Sequence, residues 1–172
     1  TIASMLRELH QELGIPEDYS LGGRRPVFEE AEELVEVGLN LVGRMQTLEP
    51  ETARKWAQMV AAAAADGVAL MIVSGFRDID YQSRLIRKKI NSGQVLSDIL
   101  TVNAAPGFSE HHTGRAIDIA SPGSRPLTDE FEQSGAFRWL TANAARFGFA
   151  LSYPRDNPAG FAFEPWHWAW NE

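Results

Sequence analysis

Between Ser109 and Asp118 the chain reads Ser-Glu-His-His-Thr-Gly-Arg-Ala-Ile-Asp, gathering two imidazoles, two carboxylates, two hydroxyls and a flexible glycine into ten residues. Near the C-terminus Glu164-Pro165-Trp166-His167 supplies another carboxylate and another imidazole. Imidazole and carboxylate together suit a divalent metal held by nitrogen and oxygen, with a carboxylate left over to move a proton. The chain has no cysteine, so thiolate ligation and disulfides are both excluded. A catalytic zinc needs three protein ligands and one open position. His111 and Asp118 are seven apart, an odd separation that puts side chains on opposite faces of a regular strand. They converge only if the chain bends between them, and Gly114 permits the bend. The competing reading is that His111 caps a turn while Asp118 pairs with Arg115 or stays solvated. Glu164 and His167 are three apart, with Pro165 between them to forbid a regular central strand. A carboxylate so placed can act as a general base, the alternative being a surface glutamate beside Trp166, Trp168 and Trp170. Those tryptophans read mainly as core or groove wall.

The elements that must position these residues are legible in the surrounding pattern. Ile2, Met5, Leu6, Leu9 and Leu13 fall at helical spacing up to Gly14-Ile15-Pro16, and residues 14–28, rich in glycine and proline, read as a loop draped over the body. His10, in the first of these helices, reads as a surface or packing residue. Residues 29–47 are ambiguous, with a strand expected at 34–37. From Pro50 a helix is expected, because proline suits the first helical position and Glu49 and Glu51 sit at the positive end of the dipole. Gly67 stops it, and the apolar run Val68 to Val73 suggests a strand buried on both faces. That strand delivers Ser74-Gly75-Phe76-Arg77, after which Asp78 caps a helix running to about Asn91. A short helix at about 96–103, a strand at Ala116 to Ala120, and a helix through Phe137, Leu140, Ala144 and Phe147 closed by Gly148 follow. The chain ends as a hairpin, Phe149 to Tyr153 and Phe161 onward, joined by Pro154 to Gly160. These elements predict an α+β fold, a small mostly antiparallel sheet flanked by helices.

The 172 residues suit one domain able to bury roughly 70% of its unfolded surface. With 44% hydrophobic and 23% charged residues and no apolar run near the ~20 of a membrane span, a soluble chain is expected. A net charge of -7 argues against a nucleic-acid surface, and the basic clusters Arg24-Arg25 and Arg84 to Lys89 read as solvated faces. The chain starts at Thr1 without a signal-peptide pattern, which suits either a trimmed exported protein or a cytosolic fragment.

Ser109-x-His111-x-x-Gly114-x-Ala116-x-Asp118, followed far downstream by Glu164-x-Trp166-His167, resembles the VanY-type D-alanyl-D-alanine carboxypeptidases, within the zinc peptidase group that includes lysostaphin-type peptidases and the hedgehog domain. Ser74-Gly75-Phe76-Arg77 with Gln82 resembles that family's third motif, and the resemblance covers roughly residues 50–170. It implies a hedgehog/DD-peptidase-like fold, with residues 1–172 as a single zinc peptidase domain and 1–30 as an N-terminal helix and loop extension. It implies Zn2+ held by His111, Asp118 and His167, Glu164 as general base, and Arg77 steadying the oxyanion or the substrate's carbonyl and carboxylate. Ser109 and Gln82 would hydrogen-bond substrate, and His112 falls on a non-ligand position. The implied reaction is hydrolysis of the terminal D-alanine-type bond of a peptidoglycan stem peptide or another D-amino-acid-containing peptide. A monomer, exported to the periplasm or cell envelope, is expected, with the cytoplasm left open. Relatives often carry a basic residue where this chain has Ser152 before Tyr153-Pro154, which bears on terminal-residue specificity. Alternatives on the same scaffold are LD-carboxypeptidase, DD-endopeptidase or dipeptidase. A non-catalytic zinc-bearing binding domain and a plain structural domain stand further off.

Overall fold

Capping and stop signals place most of the elements. The computed structural model describes residues 2–172 and opens with α1, Ile2–Leu13, which Gly14 ends at φ 78°. Strands β1 (Val35–Leu39) and β2 (Met45–Leu48) form an antiparallel hairpin. Helix α2, Pro50–Ala65, starts on Glu49, whose carboxylate accepts from the backbone N–H groups of Glu51 and Thr52, each at 3.0 Å. Strand β3 (Met71–Ser74) leads to α3 (Ile79–Asn91), capped by Asp78 through a 2.7 Å bond from Tyr81 N–H. Then come α4 (Leu96–Val102), a 3-10 turn at Glu110–Thr113, β4 (Ala116–Ala120), α5 (Gly135–Asn143), β5 (Phe149–Leu151) and β6 (His167–Trp170).

Four strands make the main sheet in the order β3-β4-β6-β5, every pair antiparallel. The expected α+β class, with a small antiparallel sheet between helices, is what the chain adopts. Two details differ from expectation. The apolar run 68–73 does not form a strand buried on both faces: only Met71–Ser74 is extended, and it lies at the edge of the sheet, half-buried. The β1–β2 hairpin covers that edge, with Phe76 N–H donating to Thr47 O at 2.9 Å and Asn40 Nδ2 to Val73 O at 2.9 Å, so the edge is not left open. The terminal strands do pair as expected, but residues 152–166 join them, a longer excursion than Pro154 to Gly160.

Two clusters of buried side chains hold the layers together. One lies between the main sheet, α2 and α5, and includes Met59, Ile117, Ile119, Leu140, Phe149, Trp168 and Trp170. The other joins α1, α3 and α4 through Leu13, Ile15, Tyr19, Ile86, Ile99, Leu100 and Phe108. His10 belongs to the packing of this second region, bonded to Pro106 O at 2.8 Å and set against Tyr19 and Phe108. Arg25 departs from the solvated face expected of it. Its guanidinium lies over Tyr19, 4.5 Å from the ring centroid, and donates to Ala159 O at 2.8 Å. Among the described residues no helix is long and apolar enough to cross a membrane.

Candidate metal centre

Asp118 occupies the middle of the sheet, opposite Ser74 on β3 and His167 on β6. This register brings the C-terminal motif to the central one. His111 arrives differently, from the 3-10 turn before β4. Ser109 Oγ caps that turn by accepting from His111 N–H at 3.2 Å, and Gly114 ends it in the left-handed region at φ 68°. The expected bend is therefore a helical turn closed by Gly114. A side chain there would be strained by φ and would meet the Glu49 backbone nitrogen at 2.9 Å, so glycine is required twice over. The bend brings His111 Nε2 to 3.1 Å from Asp118 Oδ1, while His167 Nδ1 lies 3.3 Å from the same oxygen.

The outward nitrogens settle which atoms face inward. His111 Nδ1 donates to Gly75 O at 2.7 Å, and His167 Nε2 bonds Glu110 Oε1 at 2.7 Å. In the neutral rings both inner nitrogens then carry the lone pair and face the Asp118 carboxylate. Ligand atoms of all three residues lie within 4.8 Å of one another, and all three side chains are buried. Lone pairs converging in a dry site repel unless a cation or protons lie between them, so the donor set suits a bound divalent metal. The electrostatics record the same pressure. Burial works against the charge of His167, yet hydrogen bonds to Asp118 and Glu110 outweigh it and hold the imidazole at about 10. Burial, followed by Arg77, pushes His111 down. Burial also opposes the Asp118 charge, but His111 and His167 keep its carboxyl far below the usual carboxylate range.

His112 is excluded as a ligand by its own bonds. Its Nδ1 donates to Arg77 O at 2.6 Å and its Nε2 accepts from Gly107 N–H at 3.0 Å, so both nitrogens are committed to backbone. Glu164 Oε2 lies 3.5 Å from His167 Nδ1, the nitrogen that also faces Asp118. Burial, with the Asp118 and Glu110 charges adding to it, pushes Glu164 up to about 7, partly offset by His167 and Arg77. A group so placed can hold or release a proton near neutrality. Arg77 Nη1 is 3.9 Å from Asp118 Oδ2 and 3.4 Å from Ser74 Oγ.

These groups open onto one cavity of about 230 Å³. Arg77, Ser109, His111, Asp118, Glu164 and His167 all line it, facing apolar Leu127, Tyr153, Phe161 and Trp166. Gln82 is not on its wall: fully buried, it donates to Ala104 O at 2.8 Å behind the surface. Three contributors have no role at the site that the sequence pattern announces. Glu110 holds His167 and accepts from Ser152 Oγ at 2.6 Å. Tyr153 packs on the His167 ring with centroids 4.7 Å apart. Lys89, placed with the solvated basic run, instead lines the cavity. The Ser152 departure next to Tyr153-Pro154 was the available clue to the first two.

The profile of the VanY family, described as D-alanyl-D-alanine carboxypeptidase, matches residues 45–172. This chain belongs to the VanY family. A D-alanyl-D-alanine carboxypeptidase of Enterococcus faecalis is 36% identical over 117 residues, covering 62% of this chain and 42% of the relative. This VanY-family chain spans about two-fifths of the length of the first curated relatives it matches. Among solved structures, the LdcB LD-carboxypeptidase aligns with a TM-score of 0.72 at 29% identity, over 82% of this chain and 69% of the other. A mutant of the vancomycin-resistance D,D-pentapeptidase VanY, in complex with Zn(II), aligns with a TM-score of 0.62 at 30% identity, over 80% and 78%.

Proposed function

We propose that this chain is a zinc-dependent carboxypeptidase acting on the terminal D-alanine-type bond of peptidoglycan stem peptides. Residues 1–172 would serve as one peptidase domain, working where that substrate lies, in the cell envelope. The observation that carries the reading is the convergence of His111 Nε2, the Asp118 carboxylate and His167 Nδ1, with Glu164 3.5 Å from His167 and Arg77 alongside. His111, Asp118 and His167 would hold the zinc, which supplies Lewis acidity at the scissile carbonyl and toward water. Glu164 accepts the proton of the attacking water and returns it to the departing D-alanine nitrogen. Water adds across one C–N bond, leaving a shortened peptide and a free amino acid. Arg77 donates toward the oxygen that gains charge. Ser109 holds the turn that carries His111 and presents its other face to the cavity, where it can meet substrate. Gln82 acts from behind, fixing the Ala104 carbonyl in the wall.

Glu164→Gln is the direct test. It is expected to load zinc like the wild type while losing nearly all turnover, since the amide cannot shuttle a proton. Retained turnover would remove Glu164 as the base. A second reading, cleavage of an L,D bond, is favoured by the likeness to LdcB. Digestion of defined tetra- and pentapeptide stems, with products weighed by mass spectrometry, separates the two.

A further inference from the structure

Helix α3 presents a cation to the cavity from each of its ends. Arg77 lies just before its cap, and Lys89 reaches back from its last turn. Lys89 Nζ is 3.1 Å from Asn103 Oδ1, and the Asn103 amide nitrogen is committed to Ile99 O at 2.9 Å, so the oxygen is held facing the ammonium. Among the described residues no carboxylate lies within 4.0 Å of Lys89. Its neighbours on the same helix are different: Arg84 pairs with Asp80 at 3.0 Å and Arg87 with Glu12 at 3.5 Å, both facing solvent. Lys88 is exposed and already supplies a positive charge at the helix C-terminus. The cavity's own acids are engaged elsewhere. Glu110 and Asp118 bond the two histidines, and Glu164 sits beside His167. Lys89 is thus a half-buried cation without a counter-ion, facing a second cation, and burial followed by Arg77 lowers its pKa. Such a charge carries a desolvation cost that an arriving anion relieves.

We propose that Lys89, oriented by Asn103, is a carboxylate-binding subsite that determines which peptides the cavity accepts. The assignment rests on the peptidase reading above. The carboxylate has two possible sources on a peptide: the α-carboxylate of the terminal residue, or a side-chain carboxylate on a residue upstream of the cleaved bond.

The test uses zinc-loaded wild type, Lys89→Met and Lys89→Arg with four peptides. All end in D-Ala-D-Ala, with the terminus a free carboxylate or a carboxamide and one upstream residue carrying a carboxylate or its amide. Charge-assisted hydrogen bonds of this kind correspond to about 10- to 100-fold. Lys89→Met is expected to lower kcat/KM by that factor, chiefly through KM, for peptides carrying the recognised carboxylate, with a much smaller drop for partners lacking it. The pair whose discrimination collapses names the source, and Lys89→Arg should restore the preference. A merely structural lysine would shift stability while leaving both discriminations intact, and that result would overturn the subsite. Calorimetric Kd values for the same peptides on Glu164→Gln, with and without Lys89→Met, read the subsite without turnover. Lysine-dependent discrimination in binding, with no hydrolysis by the wild type of these peptides or of tetrapeptide stems ending in an L,D bond, would sink the peptidase reading and keep the subsite. Hydrolysis with discrimination indifferent to Lys89 would do the reverse, and no binding of any peptide would overturn both.

Discussion

Glu110 stands one residue before His111 in sequence yet serves His167, 57 positions away. Its Oε1 takes two bonds, from Ser152 Oγ at 2.6 Å and His167 Nε2 at 2.7 Å, so the carboxylate both aims the imidazole and raises its basicity toward a metal. Glu110→Gln keeps an oxygen able to accept but removes the charge. Zinc affinity should fall about 10- to 100-fold, as is typical when the partner of a ligating histidine is weakened. Competition with a fluorescent zinc chelator measures this, and an unchanged affinity would mean that Glu110 only fills space. At this scale type, order and spacing single out His111, Asp118 and His167, the three residues that the fold gathers within 4.8 Å and that are proposed to hold the metal. Their supports are not legible in this way. Glu110 and Tyr153 act through partners that sheet pairing alone brings near, and Lys89 sits in a basic run whose outward members Arg84 and Arg87 disguise it.

The elements were easiest to read where one residue performs a local, chain-neighbour task. Asp78 caps α3, Glu49 caps α2, and Gly148 ends the turn after α5 at φ 85°, all within reach of their own backbone. β2 is hard to read because Met45–Leu48 has no alternation of its own, although Asn40 and Gly43 mark the turn before it; it is extended because β1 and the end of β3 bond to it. Gly75 belongs to that contact, since a Cβ there would stand 2.6 Å from Thr47 O, and the same glycine's carbonyl fixes His111. The α2 cap yields a pH-dependent prediction. Burial opposes the Glu49 charge, but bonds from Glu51 N–H, Thr52 N–H and the Thr52 hydroxyl outweigh it and depress its pKa below 4.5. A depressed carboxylate contributes its stability above the unfolded pKa, and that contribution fades as pH falls through the folded value. Glu49→Gln should therefore cost about 0.3–1 kcal/mol near neutrality, as expected of a solvent-screened charge at a helix N-terminus, and the gap to wild type should shrink in acid below the carboxylate range. Urea melts across that pH range supply the comparison. A gap independent of pH would show that shape, not charge, makes the cap.

The two buried clusters divide the labour of the whole molecule. The sheet cluster carries Asp118 and His167 on β4 and β6, while the cluster between α1, α3 and α4 backs the wall that bears Arg77, Lys89 and Ala104. The N-terminal segment is held to this second cluster by polar, specific bonds: Ala105 N–H donates to the Tyr19 hydroxyl at 3.0 Å, and Phe28 N–H donates to Gly107 O at 2.8 Å. The N-terminal helix and loop, outside the span that the family profile matches, thus become part of the cavity's backing. Ile86 is the residue to probe, fully buried at the centre of the second cluster on the inner face of α3. Ile86→Ala removes three carbons from a packed site and should cost about 2–5 kcal/mol in a urea melt. Zinc affinity should change far less than stability, because the three proposed ligands hang from the sheet and the turn beside it, whereas peptide KM should rise as Arg77 and Lys89 lose their footing. If zinc affinity instead falls in step with stability, the two clusters form one cooperative unit and the α3 side helps to hold His111 through the Arg77 N–H to His111 O bond of 3.2 Å.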